Sequence, residues 1–294
     1  MVNSQMLSPP KIRSRQISDS DVDAVAELLT RGFRIRSSTY WRRALAKLGS
    51  RPAPEGLPKY GYLLESGGVP VGVILLIFSS VPASDAVTTR CNVSSWYVEP
   101  EFRSHAALLI SQAIKHKNVT YVNISPAMHT RPIVEAQGFA RYTNGQFAAL
   151  PALSGGRGDD TARVVGIDTS ADARFGSCER ELLSTHRDYG CLGLWCVTSE
   201  RAHPFVFMPR RVKGFIPCVQ LIYCRDIQDF VRFARPIGRY LAKRGRPLVI
   251  VDSNGPIAGL VGIYLDGKSP KYFKGPRQPS FGDLAYTEAV MFGL

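Results

Sequence analysis

The stretch Trp96-Tyr-Val-Glu-Pro-Glu-Phe-Arg-Ser-His-Ala-Ala-Leu-Leu-Ile110 holds the residue types and spacing best suited to chemistry. An apolar, β-forming run ends at Glu99-Pro100. An arginine and a short polar stretch follow, and then an amphipathic helical pattern begins. A turn of this kind suits an anion. Free backbone N–H groups at a helix N-terminus, at the positive end of its dipole, favour a bound diphosphate. Arg103 brings a cation to the same place, and the small side chains of Ser104, Ala106 and Ala107 let a ligand approach the backbone. His105 offers a further phosphate contact, and His129, ahead of a short helix, is the residue type most used for proton transfer at neutral pH.

The elements that must position these residues follow from pattern. Ile12–Ile17 is a strand candidate, and Ser18-Asp-Ser-Asp21 supplies N-cap chemistry for a helix ending near Gly32. Ser37 or Ser38 starts a second helix running to Gly49. Tyr60–Glu65 and Pro70–Ser80 form a hairpin about Gly67-Gly68, and Arg90–Val98 is a further strand. Ser104–His116 reads as a helix, Val119–Ile124 as a strand, and Pro132–Gln137 as a short helix stopped by Gly138. Phe139–Leu150 reads as one or two strands about Asn144-Gly145, a strong hairpin signal. Beyond it the order repeats. A helix covers Arg174–Ser184, a hairpin Leu192–Thr198 and Pro204–Pro209, and a strand Cys218–Cys224. A helix kinked or divided by Pro236 spans Asp226–Arg244, and Pro247–Asp252, Gly259–Leu265 and Asp283–Phe292 complete a sheet.

Composition narrows the class. The chain has 294 residues, 45% hydrophobic and 21% charged, as a folded globular protein does, and its longest uninterrupted apolar run is too short to span a bilayer. The polar, proline-containing N-terminus has no signal-peptide core, so the expected location is the cytoplasm. The net charge is +13, divided almost evenly between residues 1–150 and 151–294 with no dense basic tail. That spread argues against a nucleic-acid partner and suits small polyanions. Four of the six cysteines fall between Cys191 and Cys224, but Cys191-x4-Cys196 and Cys218-x5-Cys224 lack the spacing of zinc sites. They are expected to be buried small hydrophobes, with no metal bound and Cys191 and Cys196 on opposite faces.

The stretch resembles the GNAT acyltransferase superfamily, whose motif reads Val-x-Pro-x-(Tyr/Phe)-Arg-Gly-x-Gly-x-(Gly/Ala) before a helix. Val98, Pro100, Phe102 and Arg103 match it, and Ala106 stands for the first inner glycine. Ser104 replaces the first loop glycine, and Leu108 displaces the second small residue. The element order is also similar, and Gly138-Phe139 matches the pair closing the superfamily's second motif. The resemblance covers residues 12–147 well and 164–294 in element order only.

The resemblance implies an α+β fold of two tandem GNAT-like domains, each a mixed, mostly antiparallel sheet flanked by helices. A loose leader, 1–11, precedes an acyl-CoA-binding domain, 12–150; a linker, 151–161, leads to a degenerate second domain, 162–294. It implies a donor, acetyl-CoA or a longer acyl-CoA, in an opening between the fourth and fifth strands. The pantetheine would pair with the backbone near Tyr97 and Val98, and the diphosphate would lie on Arg103, Ser104, His105, Ala106, Ala107 and Leu108. The acyl group would pass to an amine or hydroxyl of a small molecule, glycan or peptide. Where many members carry a tyrosine acid this chain has Val134, and its strand before Val98 lacks the frequent carboxylate base. The substitute acid–base candidates are His129, Glu99 and Tyr97. Two other readings remain: a non-catalytic module that binds acyl-CoA or a partner, and a Fem-type transferase using aminoacyl-tRNA.

Overall fold

A computed structural model describes residues 11–82, 87–155, 162–168 and 175–293. Residues 1–10 of the expected leader and 156–161 of the expected linker lie outside the described residues. The chain packs as two compact units, Met1–Tyr121 and Val122–Leu294. The linker expected from the sequence lies at 151–161, between domains expected over 12–150 and 162–294.

In the first unit, β1 (Ile12–Gln16) leads into α1 (Val22–Gly32) and α2 (Ser38–Gly49). The starts of the helices are chemically marked. Ser18 and Asp21 form a capping box, and the Ser37 hydroxyl accepts from the Tyr40 N–H at 3.2 Å. Val25, Ala26, Leu28 and Leu29 form the buried stripe of α1. Burial of each large aliphatic chain contributes about 1.5–3 kcal/mol. The antiparallel strands β2 (Gly61–Ser66), β3 (Val69–Pro82) and β4 (Val87–Val98) continue the sheet from β1. Gly67 and Gly68, both at positive φ, make the β2–β3 turn.

A 3-10 turn, Pro100–His105, carries the chain from β4 into α3 (Ala106–Ala113). The helix therefore starts two residues later than its apolar pattern suggested. Pro100 can open such a turn because its missing N–H would be unpaired there anyway. A short strand, β5 (Thr120–Asn123), straddles the division between the units.

In the second unit, α4 (Arg131–Ala136) precedes β6 (Ala140–Ala149). The expected turn at Asn144-Gly145 is absent, and β6 runs straight through it, pairing with β11 and β12. Gly145 serves close approach instead: a Cβ there would lie 2.3 Å from the Leu265 carbonyl oxygen. After β7 (Arg163–Gly166) come α5 (Ser177–Asp188), β8 (Leu192–Val197), β9 (Ala202–Val212) and β10 (Ile216–Cys224). The expected long helix is two, α6 (Ile227–Arg232) and α7 (Ala234–Ala242), divided at Phe233. Pro236 thus falls within the first turn of α7, where its missing N–H costs little. Then come β11 (Leu248–Ser253) and β12 (Gly262–Lys274). The expected strand over Asp283–Phe292 does not form. Asp283 makes a single bridge to Tyr223, and Ala289–Gly293 is a π-helical turn.

This sheet runs β12-β6-β11-β10-β9-β8-β7, antiparallel except for the β10–β11 pair. Its two faces bury separate clusters. Phe230, Phe233, Ile237 and Leu241 of α6 and α7 pack with Leu194, Cys196, Phe205 and Phe207. Leu182 and Leu183 of α5 pack with Trp195, Val206 and the C-terminal residues Leu284, Ala289 and Val290. Cys191 belongs to the second cluster and Cys196 to the first, as their odd spacing required. Burial pushes the Cys191 thiol up to about 12. The order of elements repeats along the chain. A helix, three antiparallel strands, a helix and a strand occur as α2-β2-β3-β4-α3-β5 and again as α5-β8-β9-β10-α6/α7-β11.

Candidate functional site

The chemistry-bearing stretch of the first unit is built on a defect in β4. Its register with β3 shifts between Ile74 and Leu75, so that Trp96 faces Ile74 and Ser94 faces Leu75, with Ser95 left over. Ser95 takes a positive φ of 22°. Such a bulge re-aims the strand and is common beside active sites. The Trp96 indole N–H next to it is buried with no hydrogen-bond partner among the described residues. An unspent buried donor is costly, and a polar ligand atom would satisfy it.

Beyond the bulge the residues alternate between faces. Val98 lies over Gly72, where an added Cβ would meet both Val98 and Leu109 of α3 at 3.1–3.2 Å. Tyr97 faces the other way, onto the end of α1. A Cβ on Gly32 would stand 2.4 Å from Tyr97 Cγ, so only glycine lets the ring lie there. The Tyr97 hydroxyl donates to Glu99 Oε2 at 2.9 Å, and Arg31 Nε donates to Glu99 Oε1 at 2.7 Å. Arg31, Tyr97 and Glu99 therefore form one cluster, in which Tyr97 and Glu99 are half-buried and Arg31 is exposed. Burial pushes the Tyr97 phenol above its usual range, and Glu99 raises it further against the pull of Arg31 and Arg103. Tyr97 is a neutral donor at physiological pH, and Glu99 is its acceptor.

The turn after Glu99 departs from an open anion loop. The Phe102 N–H donates to the Glu99 carbonyl at 2.9 Å, and the Ala106 N–H donates to the Arg103 carbonyl. One backbone donor of the expected diphosphate stretch, that of Ala106, is thus spent within the turn, as is the Phe102 N–H just before it. The remaining means of holding one lie with side chains. Arg103, Ser104, Ala107 and Leu108 are exposed, with Leu108 at 43%, and His105 and Ala106 are half-buried. An acyl-CoA fits these residues through the Arg103 guanidinium, the Ser104 hydroxyl and the small alanines more than through a nest of N–H groups.

His129 sits in the second unit, exposed on a 3-10 turn, Met128–Thr130, before α4. The sequence reading missed Arg31, whose role was not visible in a helix-end arginine far along the chain from Glu99. It also missed the bulge, which has no residue signature beyond Ser94-Ser95. Among the described residues no group of His, Cys, Asp and Glu could hold a metal ion. No described helix is long and apolar enough to cross a membrane.

The second unit repeats the strand–bulge–helix arrangement with different chemistry. The register of β10 with β9 shifts between Leu221 and Tyr223, leaving Ile222 over. The next residues are Arg225, bound to the Glu179 carboxylate, and Asp226, which caps α6 by accepting from the Gln228 N–H at 2.8 Å. A carboxylate thus stands at the N-cap of α6, the position that His105 holds ahead of α3.

Solved structures share the overall fold. The fold is that of the GCN5-related N-acetyltransferases. The chain is similar to one from Anabaena variabilis at a TM-score of 0.56 and 10% identity, over 90% of this chain and 72% of that one. It is similar to one from Kribbella flavida at 0.55 and 13%, over 90% and 71%. It is also similar, at 0.54 and 11%, to a fungal multidomain β-N-acetylglucosaminidase with a GCN5-related glucosamine N-acetyltransferase region, over 91% of this chain and 38% of that one. These GNAT likenesses run past residue 150, so the shared fold takes in the second half. No protein-family model matches the sequence, and no curated protein is similar to it in sequence.

Proposed function

We propose that the protein is an acyltransferase that moves an acyl group from acyl-CoA, acetyl-CoA or a longer homologue, to an amine or hydroxyl of a small molecule, glycan or peptide. The observation that carries this reading is the β4 bulge at Ser95, with its unspent Trp96 donor, leading directly into the turn that bears Arg103. Tyr97 and Val98 would offer backbone to the pantetheine, and Arg103, Ser104, His105, Ala106, Ala107 and Leu108 would hold the diphosphate. The donor supplies an activated thioester carbonyl. The protein's part is positioning and proton transfer.

Glu99 would receive the proton that the amine loses as the C–N bond forms. Tyr97 would deliver a proton to sulfur as the C–S bond breaks, and would regain it from Glu99 along their 2.9 Å hydrogen bond. The pair ends as it began, which balances the cycle. His129 is the alternative proton carrier.

Free-thiol release from acyl-CoA, screened over amines and amino sugars, tests the reading. Glu99→Gln should lower turnover about 10²-fold or more with little change in donor affinity, as loss of a general base does. Donor binding without thiol release from any acceptor would instead support the non-catalytic module.

One observation favours the aminoacyl-tRNA reading. Arg232, Arg235, Arg239, Lys243 and Arg244 are all exposed along α6, α7 and the turn that follows. Their helical spacing hides them from a search for contiguous basic blocks. Transfer that needs RNA and ignores acyl-CoA would decide for it.

A further inference from the structure

We propose that the second unit carries its own substitute for a donor: the segment Phe281–Ala285 fills the strand edge where a pantetheine would pair, so the chain takes one acyl-CoA and takes it in its first half. The inference rests on the acyl-CoA reading above both for what the edge would otherwise hold and for the single donor taken in the first half.

The parallel pairing of β10 with β11 runs through Cys218–Leu248, Val219–Val249 and Gln220–Ile250 and goes no further, although β10 continues to Cys224. β9 occupies one edge of β10 along its whole length, to Cys224–Phe205. Past Gln220 the opposite edge is open to another partner, and the chain itself supplies it. The Leu284 N–H donates to the Ile222 carbonyl at 2.7 Å, and the Cys224 N–H donates to the Gly282 carbonyl at 3.0 Å. Tyr223 and Asp283 form the antiparallel bridge between these bonds. The two backbone groups next to the bulge, those best placed for an amide-bearing arm, are both spent.

The segment is fixed in place by more than these bonds. Gly282 takes φ 75°, and a Cβ on it would lie 2.7 Å from Cys224 Sγ, so the close approach needs glycine. Leu284 and Ala285 are buried in the core with Ile222 and Trp195. The Tyr286 N–H donates to Nε2 of the fully buried His186, whose Nδ1 lies 2.7 Å from the Leu182 carbonyl. His186 thereby ties α5 to the segment. Glu288 accepts from the Ser125 hydroxyl at 2.6 Å. An acyl-CoA would have to displace an apolar, hydrogen-bonded piece of core and then set its diphosphate against Asp226.

Amide hydrogen exchange on the full chain, with and without saturating acetyl-CoA, tests this, alongside a binding titration. The expected result is slow exchange at Cys224 and Leu284 without any donor, no change there when donor is added, and one equivalent bound. Fast exchange at these amides in the free protein would overturn the proposal. So would donor-dependent change at residues 222–224 and 282–284, or a second equivalent that survives Arg103→Ala. Slow exchange at both amides in a chain that binds no acyl-CoA anywhere would support the filled edge and sink the acyl-CoA reading instead.

Discussion

Gly32→Ala tests the packing on which the candidate acid–base pair depends. The new methyl would stand 2.4–2.9 Å from three carbons of the Tyr97 ring, inside contact distance, so ring or helix end must move. Overpacking of this kind costs about 1–3 kcal/mol. Gly32 ends α1 without a positive φ, so alanine also gains about 0.5–1 kcal/mol of helix preference. The net expectation is a loss of about 0.5–2 kcal/mol, or a fall in Tm of about 2–8 °C. Scanning calorimetry of the wild type, Gly32→Ala, Tyr97→Ala and the double variant reads it as a cycle. The cost should vanish in the Tyr97→Ala background, where the ring is gone. As a control, Gly155→Ala, with nothing within 4 Å of the new Cβ, should be neutral or slightly stabilising. A Gly32→Ala protein as stable as wild type, or a cost that persists without the ring, would refute the claim that Tyr97 lies on the end of α1.

Three further outcomes follow from the same structure. Arg103→Ala should weaken acyl-CoA binding about 10–100-fold, the worth of a hydrogen bond to a charged group, while leaving Tm without donor unchanged; equilibrium dialysis measures it. Acid should destabilise the first unit through Arg15, which holds Asp21 and Glu65 below the usual carboxylate range. Groups with lowered folded-state values stabilise fully above their unfolded values of about 4 and lose that contribution as pH falls below them, so Arg15→Met should be less stable near neutral pH and lose little more on acidification. Among the described cysteines Cys178 is exposed and the other five are buried, so a thiol reagent should modify one cysteine rapidly in the folded protein and the rest only on unfolding.

Much of the fold was legible because helix caps and glycine turns are local signals. Ser37, Asp226 and the Gly67-Gly68 pair each lie where their chemistry requires. The errors lie where tertiary packing overrides a local signal. Asn144-Gly145 has the makings of a turn, yet the pairing of β6 on both edges keeps the chain extended, and the glycine admits Leu265. Asp283–Phe292 has strand-like composition but packs as a bridge and a π-helical turn against the core. At the candidate site the motif residues were readable in order, while their environment was not. The 3-10 turn that spends two N–H groups, and the reach of Arg31 to Glu99, depend on contacts remote in sequence. Even the basic residues of α7 were visible only once helical spacing placed them on one surface.

A calorimetric titration of the purified chain with acetyl-CoA and longer acyl-CoAs, repeated on Arg103→Ala, tests the central claim most directly. The account predicts saturable binding of at least one of these donors, one per chain, markedly weakened in the variant. Absence of binding to every acyl-CoA, or binding that Arg103→Ala leaves untouched, would contradict it.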